Sequence, residues 1–249
     1  MADRFYCPAA PVDGRAILEG DEARHLARVR RVALGEVVEL FDGRGSSYRA
    51  EVAGLGRDRV ELTVVGPPTP GRRPALDLTL ATAVPKGERF DWLVEKATEL
   101  GVTRLIPMVT ERSVVDPRSA KLDRLRRTVI EASKQSRRDR LMDLDEPTPW
   151  ATLAGASRAD LRLIAQPGGV PIGRSGPVRR GGSAVIAIGP EGGFTPAEVD
   201  RAGQSGWRPV GLGPTTLRVE TAGLAAVATL MALAGADGDG DGDGNGEDS

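Results

Sequence analysis

The clearest hydrophobic pattern lies near the C-terminus, where short apolar runs stop at glycine-containing loops. Residues 184–188 form an apolar run rich in β-branched side chains that ends at G-P-E-G-G, 189–193, which predicts a buried strand opening into a loop. Thr195, Pro196 and Glu198 then have the pattern of a helix start, with a capping residue, a proline at the first helical position and a glutamate three residues after the cap. The pattern predicts a strand, a glycine loop and a helix in succession.

The same order recurs on both sides of this stretch. Residues 210–212 lead into a second glycine loop, and an Ala/Leu/Val-rich helix is predicted from about Val219. Upstream, a strand over 161–165 ends at a third loop, 166–169. Ligands of open α/β sheets bind at the carboxyl ends of strands, so we predict the active site in the crevice between these loops. None of them has the spacing of a phosphate loop or of the dinucleotide fingerprint.

The first part of the chain has a different hydrophobic pattern. Short β-rich segments at 37–41, 47–52 and 60–65 are divided by turn residues, which predicts a small antiparallel β-barrel. Between Asp21 and Val32 we predict a short amphipathic helix with Leu26 and Val29 facing inward and its arginines facing outward.

A proline-rich stretch, 66–74, predicts a linker. Beyond it, a strand over 76–84, a helix from about 88 to 100 and a strand over 104–109 predict a parallel sheet with covering helices. The predicted organisation is therefore a barrel over residues 1–73, an α/β domain over 74–234 and an acidic tail over 235–249.

A basic helix is predicted from about Ser119 to Arg138, with an apolar face that includes Leu125 and Val129. From Arg118 to Arg140 the chain has nine basic residues against three acidic ones, a local charge of +6. Helix-dipole effects explain only part of this excess, so we predict a polyanionic partner.

Composition excludes several other classes. The chain has one Cys and one His, which excludes a disulfide framework and makes a zinc site improbable, and we predict no metal. It has no apolar run of membrane-spanning length and no signal-peptide pattern, so a cytoplasmic protein without a membrane partner is expected. The net charge of −1 hides an asymmetry, because residues 235–249 carry six acidic side chains and no Lys or Arg, leaving +5 for the rest. This tail is predicted to be disordered.

Four longer motifs occur in order: V-P-K-G-E-R-F-D-W-L-V-E-K-A-T-E-L-G-V (84–102), E-A-S-K-Q-S-R-R (131–138), I-G-P-E-G-G-F (188–194) and L-G-P-T-T-L-R-V-E-T-A (212–222). Together with R-F-Y, H-L-A-R-V-R-R and L-F-D-G in the first domain, they resemble the RsmE family, the small-subunit ribosomal RNA uridine methyltransferases of the SPOUT superfamily. The resemblance covers the chain except for the acidic tail.

The resemblance implies a fold and an activity. The expected fold is a PUA-like β-barrel followed by an α/β domain with a deep C-terminal trefoil knot, and the expected assembly is a homodimer packed through the knots. The implied cofactor is S-adenosylmethionine. The implied substrate is N3 of one uridine of small-subunit ribosomal RNA, with an assembled 30S-type subunit as the expected partner.

The resemblance also assigns site residues. Backbone groups of the three loops are expected to hold the cofactor, namely those of Gln166, Pro167, Ile188, Gly189, Pro190, Glu191, Gly192, Gly193, Leu212, Gly213, Pro214 and Leu217. Because uridine N3 must lose a proton, Arg218 is expected to stabilise the negative charge that develops on the base. Glu220 or a water is the expected proton acceptor. The alternative for Glu220 is an acidic residue favoured by the dipole at a helix start.

RNA contacts are expected from basic and polar side chains of the first domain and of the basic helix: Arg28, Arg30, Arg31, Gln135, Arg137, Arg138 and Arg140. Two alternative functions remain open. One is an RNA-binding protein without catalysis, and the other is a SPOUT methyltransferase that acts on a different RNA nucleotide.

Overall fold

The computed structural model describes residues 3–115 and 122–236. The predicted start of the basic helix at Ser119, with the neighbouring Arg118, lies outside the described residues, as does the predicted acidic tail from Asp237 onward. The first two residues of that tail, Gly235 and Ala236, end the last helix.

The chain forms two compact units. The first contains the residues up to Arg73 together with Val129–Leu141. The second contains Pro74–Thr128 and the residues from Met142 onward. The inclusion of Val129–Leu141 in the first unit is not predicted by the sequence, where the linker at 66–74 is the only boundary signal.

The first unit is built on a curled, six-stranded sheet. Its strands run in the order β1-β3-β4-β5-β2, with β6 paired to β4. The pairs are antiparallel except for β1 with β3, so the prediction of a wholly antiparallel barrel is wrong at β1. The strand bounds are β1 Arg4–Tyr6, β2 Arg15–Glu19, β3 Val37–Phe41, β4 Ser46–Leu55, β5 Arg59–Val64 and β6 Thr69–Pro70.

Alternation along these strands builds the core of the first unit. In β2 and β5 every second residue is buried, and the buried side chains meet those of the other strands in one cluster. One face of the sheet is therefore apolar, as the period-two pattern predicts. The largest of these fully buried side chains are Phe5, Leu18, Leu26, Leu40 and Leu62.

The predicted amphipathic helix of the first unit is divided into two kinds of helix. Helix α1 covers Gly20–Arg24, and a π-helix follows over His25–Arg30. Leu26 is fully buried as predicted, but Val29 is 70% exposed, so the prediction that Val29 faces inward is wrong. A π-helix has more residues per turn than an α-helix, which rotates Val29 away from the position that α-helical spacing assigns to it.

The second unit is a parallel sheet with helices on both faces, which confirms the predicted α/β class. The strands run in the order β10-β8-β7-β12-β11-β13, with β9 paired to β8, and every pair is parallel. The strands are β7 Asp77–Ala83, β8 Arg104–Val109, β9 Asp143–Leu144, β10 Thr148–Pro149, β11 Leu161–Pro171, β12 Ser183–Ile188 and β13 Arg208–Gly211. The helices of this unit are α2 Arg89–Glu99, α4 Trp150–Ala156, α5 Pro196–Gln204 and α6 Val219–Ala236, and α3 Leu122–Gln135 has its first residues here and its last residues in the first unit.

Two apolar layers hold this sheet between its helices. On one face, the rings of Trp150, Phe194 and Trp207 pack together, with ring centroids 5.1 Å and 4.8 Å from that of Trp150. On the other face, α6 packs on β7 and α2, and Gly223 is so close to Leu93 that an added Cβ would lie 3.4 Å from its Cδ1. The two layers fix the strands whose carboxyl ends carry the glycine loops.

Among residues 3–115 and 122–236, no helix is long and apolar enough to cross a membrane.

Candidate active site

A cavity of about 420 Å³ lies at the carboxyl ends of β11, β12 and β13. Its walls are three loops together with the first turn of α6: two loops follow β12 and β13, and the third, over 166–169, lies within β11 where the strand pairing is irregular. The prediction that this strand ends at Ala165 is wrong, because β11 continues to Pro171. Because β11 lies between β12 and β13 in the sheet, the three loops converge on one crevice. The volume is in the range of small-molecule and cofactor sites.

Eleven of the twelve residues that the sequence assigns to the cofactor line this cavity. The exception is Gly192, whose carbonyl oxygen instead accepts a hydrogen bond from Nη1 of Arg112 at 2.7 Å. Several further lining residues are missed by sequence reasoning. Of these, Gly168 lies in the predicted loop 166–169, and Thr215, Thr216, Val219 and Ala222 lie inside the motif over 212–222, so all five could have been found from the sequence. Ala165 and Gly211 carry no comparable signal.

Two glycines bring the loop after Ala165 against β13. A Cβ on Gly169 would lie 2.6 Å from the carbonyl carbon of Val210, and a Cβ on Gly211 would lie 2.9 Å from the carbonyl oxygen of Gly169. Both contacts are with backbone atoms, which a small side-chain movement cannot relieve. The pairing register of β11 with β13 shifts between Ala165 and Val170, so this part of β11 leaves the ladder and forms one wall of the cavity.

Gly213 has a different role in the opposite wall. Its φ of +131° is in a region that other residues rarely adopt, and an added Cβ would meet no atom within 4 Å. The glycine is thus required by backbone conformation, and its surface is open to the cavity. Backbone donors and acceptors at this wall can approach a ligand without a side chain between them.

The loop after β12 is fixed by Glu198. Its Oε2 accepts a hydrogen bond from the backbone N–H of Thr195 at 2.8 Å, and the Thr195 hydroxyl caps the N–H of Glu198 at 3.3 Å. This is the capping box that the sequence predicts, and it is confirmed. The second oxygen, Oε1, accepts from the N–H of Glu111 at 3.0 Å and ties the loop after β8 to α5.

Arg218 lies at the rim of the cavity, between the lining residues Leu217 and Val219. Its side chain is exposed and has no hydrogen bond or ion pair with the described part of the chain. The guanidinium is therefore available to a ligand. Its carbonyl oxygen accepts from the N–H of Ala222 at 2.8 Å, which sets the residue at the entry of α6.

Glu220, in the first turn of α6, is buried rather than exposed to the cavity mouth. Its Oε1 lies 3.6 Å from Nη1 of Arg89, the first residue of α2. Its Oε2 is buried without a hydrogen-bond partner in the described residues. A buried carboxylate oxygen of this kind has an unused acceptor position.

The first RNA-contact candidates lie on the π-helix. Arg31 is exposed, with φ of +54°, and has no side-chain partner in the described residues. Arg28 donates to the carbonyl oxygen of Arg57 at 3.5 Å, and Arg30 forms an ion pair with Asp3.

The second group of candidates follows α3, which ends at Gln135, three residues before the predicted end. Gln135, Arg137 and Arg140 are exposed, and Nη1 of Arg137 lies 3.5 Å from Oε2 of Glu39. Arg138 is half-buried, and this burial lowers the pKa of its guanidinium to about 10.

Part of the basic charge of this stretch is paired inside the first unit. The Lys134 side chain is only 8% exposed, and its Nζ lies 2.9 Å from Oε1 of Glu22 and 2.8 Å from Oε1 of Glu131. This lysine therefore contributes to the ion pairs of the unit as well as to the basic charge from which the sequence predicts a polyanionic partner.

Within the described ranges, no cluster of three or more His, Cys, Asp or Glu side chains could hold a metal ion.

Comparison with known families gives the class of the chain. A family model described as an RNA methyltransferase domain matches residues 72–231, and one described as an RNA methyltransferase PUA domain matches residues 18–65. The first match contains all three loops of the cavity. The second unit is thus built on an RNA methyltransferase domain, and the curled sheet of the first unit is a PUA-like domain.

Relatives give the particular family. The chain is 34% identical to the ribosomal RNA small subunit methyltransferase E of Mycobacterium bovis, over 94% of this chain and 92% of that protein. It is 31% identical to that of Bacillus subtilis, over 86% of this chain and 88% of that protein. The crystal structure of the Neisseria gonorrhoeae protein, bound to S-adenosyl methionine, superposes with a TM-score of 0.85 at 32% identity, covering 94% of this chain and 98% of that one. The chain belongs to the ribosomal RNA small subunit methyltransferase E family.

Proposed function

We propose that the protein is an S-adenosylmethionine-dependent methyltransferase that methylates N3 of one uridine in small-subunit ribosomal RNA. The observation that carries the proposal is the cavity at the ends of β11, β12 and β13, in a chain whose relative of the same family binds S-adenosylmethionine.

The residues present fit this cofactor. Apolar side chains of Ile188, Leu212 and Leu217 line the cavity and suit the faces of an adenine ring, and the open backbone at Gly213 offers polar groups at close range. When bound, the cofactor supplies an activated methyl group on a sulfonium, so the protein has to position the acceptor and stabilise its charge.

Arg218 is proposed to stabilise the acceptor. As the uridine loses its N3 proton, negative charge develops on the carbonyl oxygens of the base. A guanidinium at the rim of the cavity, without a partner in the described residues, can donate hydrogen bonds to these oxygens. We assign Arg218 to this role because its neighbours on both sides line the cavity while its own side chain is exposed.

Glu220 is proposed as the proton acceptor, with a water molecule as the alternative. Its Oε2 has an unused acceptor position, and it lies two residues from Arg218 in the first turn of α6. The contact of Oε1 with Arg89 supports a second role, in which Glu220 positions the start of α2. Glu220→Gln distinguishes the two roles. Loss of a base removes the pH dependence of the transfer rate, whereas loss of a positioning contact changes stability and leaves the shape of the pH profile intact.

RNA recognition is proposed for the exposed basic side chains of the first unit. The strongest candidates are those that remain exposed, namely Arg28, Arg31, Arg137 and Arg140, with contributions from Gln135 and from the paired or half-buried Arg30 and Arg138. Arginine binds phosphate through a planar fork of donors, which suits an RNA backbone.

We also propose that the protein forms a homodimer packed through α6. The path of its last three strands is proposed to form a trefoil knot. Support for the dimer comes from α6, which is apolar on all sides yet leaves Leu224 and Ala225 half-buried and Ala228 and Ala232 exposed. A helix that is hydrophobic all round is normally buried, so a second copy is the proposed cover. We further propose a cytoplasmic protein that acts on an assembled 30S-type subunit.

Titration calorimetry with S-adenosylmethionine distinguishes a methyltransferase from an RNA-binding protein without catalysis. We expect saturable heat with one site per chain for the intact protein. Gly213→Val, which adds a side chain at the open wall of the cavity, is expected to abolish this heat while RNA binding persists. Absence of saturable heat from the intact, folded protein would favour the binding-only alternative.

A further inference from the structure

The sheet of the second unit has a strongly basic patch at the end opposite the cavity. Four exposed arginines and one half-buried arginine lie at or just before the amino ends of β11, β12 and β13, and a fifth exposed arginine, Arg174, lies in the connection from β11 to β12. Arg174 precedes Ser175, whose carbonyl oxygen accepts a hydrogen bond from Arg208 at 2.9 Å. One carboxylate, Asp160, accompanies them, so the formal charge of the six arginines and this aspartate is +5. We call this set the amino-end arginine surface: Arg158, Arg162, Arg174, Arg179, Arg180 and Arg208.

The strand pairing brings these residues together although they are far apart in sequence. Arg208 begins β13 and pairs with Leu163 of β11, and Ala184 of β12 pairs with Leu161 on the other side of β11. A cavity of about 290 Å³ between these strand ends is lined by Arg179 and Arg208 together with Asp160, Pro177, Val178 and Ser183. Two of the six arginines thus line one concave site.

Part of this charge has a structural use. Arg158 donates to the carbonyl oxygen of Gly155 at 3.0 Å, at the end of α4, and Arg208 donates to that of Ser175 at 2.9 Å. Arg162 likewise donates to the carbonyl oxygen of Ser157 at 3.3 Å. Hydrogen bonds from the hydroxyl and backbone of Ser183 lower the pKa of Asp160, with a smaller effect of Arg179, so this carboxylate is ionised and offsets one positive charge.

Two of the arginines have no such use. Arg174 and Arg180 are exposed and have no hydrogen bond or ion pair within residues 3–115 and 122–236. The neighbouring half of the same sheet edge has the opposite sign, because Asp77, Asp143 and Asp145 lie there with Arg104. The positive surface is therefore confined to β11, β12 and β13.

The composition of the surface points to phosphate rather than to a protein partner. Between Ile172 and Ser183 the structure leaves no large apolar side chain exposed, since Ile172 and Val178 are buried. Protein interfaces rely on apolar and aromatic anchors at their centre, whereas phosphate contacts need arginine and accessible backbone. Glycines at 173, 176, 181 and 182 keep the backbone accessible here.

We propose that the amino-end arginine surface binds backbone phosphates of the RNA substrate, as a contact region separate from the cavity and from the first unit. This inference rests on the proposed function. The surface is separated from the cavity by the length of β12, about 15 Å, so the phosphates it binds belong to nucleotides other than the methylated one. It therefore contributes to substrate affinity and leaves the transfer step unchanged.

The test compares Arg174→Ala/Arg180→Ala with Arg59→Ala/Arg104→Ala, which removes the same charge from exposed arginines that already have carboxylate partners. Binding to protein-free small-subunit ribosomal RNA is measured across a salt series, together with single-turnover methylation of assembled small subunits at saturating concentration. We expect the first variant to weaken RNA binding about fivefold and to reduce the slope of log affinity against log salt by about 1.5. The Kd for S-adenosylmethionine and the saturated rate should stay at the values of the intact protein.

Two outcomes would overturn the proposal while leaving the proposed function standing. One is a salt slope equal to that of the control pair. The other is a loss seen only with assembled subunits and not with protein-free RNA, which would assign the surface to a ribosomal protein. If the intact protein neither binds the RNA nor methylates assembled subunits, the proposed function fails first, and this result is recognisable before any variant is made.

Discussion

The carboxylate of Glu198 accepts a hydrogen bond at 3.0 Å from the backbone N–H of Glu111, a residue 87 positions earlier in the chain. The same side chain is 5% exposed and closes the capping box of α5 with its other oxygen. One buried carboxylate therefore joins the loop after β8 to the loop that forms a wall of the cavity. Arg112, the next residue, adds a second link through the carbonyl oxygen of Gly192.

Glu198→Ala should destabilise the protein by about 2 kcal/mol, because it removes the cap partner and leaves two backbone N–H groups without acceptors. Asp200→Ala is the matched control, since Asp200 is exposed on the same helix, and it should change the free energy of unfolding by less than about 0.5 kcal/mol. Urea denaturation measures both. Equal effects of the two substitutions would show that the link between the loops is not stabilising.

Gly169→Ala should distort the cavity, because its Cβ would lie 2.6 Å from the carbonyl carbon of Val210. Overpacking against backbone costs about 1–3 kcal/mol, and we expect the loss of S-adenosylmethionine binding to accompany it. Gly155→Ala in α4 is the control, because an added Cβ there meets no atom within 4 Å and alanine favours a helix. Thermal unfolding and calorimetry on both variants decide whether the close approach is required. Unchanged cofactor affinity in Gly169→Ala would show that the close approach of Gly169 to Val210 is not required for the cavity to bind the cofactor.

Local patterns in the sequence predict the elements that frame the cavity. Thr195, Pro196 and Glu198 specify the start of α5, and apolar runs give β8 at its observed bounds and β12 to within one residue. These features depend on neighbours in sequence, which hydrophobic periodicity and capping rules describe. The glycines of the three loops likewise carry a local signal, and nearly all the residues predicted from them line the cavity.

Long-range contacts are what the sequence does not predict. The bond from Glu111 to Glu198 and the backbone approach of Gly169 to Val210 depend on strand order, which no local pattern encodes. The docking of Val129–Leu141 in the first unit likewise depends on ion pairs such as Lys134 with Glu22. The inward orientation predicted for the Val29 side chain is wrong, because the α-helical period does not hold in a π-helix.

Arg218→Ala should reduce the rate of methyl transfer by about 100- to 1,000-fold, as expected when a donor to a developing oxyanion is removed. The Kd for S-adenosylmethionine should barely change, because the contact forms mainly as charge develops on the base. Single-turnover methylation and calorimetry measure the two quantities separately. If cofactor affinity fell in proportion to the rate, Arg218 would be a cofactor-binding residue.

Truncation after Ala236 should leave the melting temperature and the cofactor affinity unchanged. Residues 237–249 contain no apolar side chain, so their removal takes no apolar area from a core. Truncation after Leu230, which removes the last six residues of α6, is the contrasting variant and should lower the melting temperature. A substantial drop after the first truncation would mean that the acidic segment contributes to the folded state.

Nucleoside mapping of small-subunit ribosomal RNA, from a strain that lacks this protein and from the same strain complemented with it, tests directly whether the protein methylates N3 of one uridine. We predict that one uridine lacks an N3 methyl group in the deletion strain. The intact gene should restore the modification, whereas Arg218→Ala should not. Identical modification of the RNA in the deletion and complemented strains, or a change at a base other than uridine, would contradict the account.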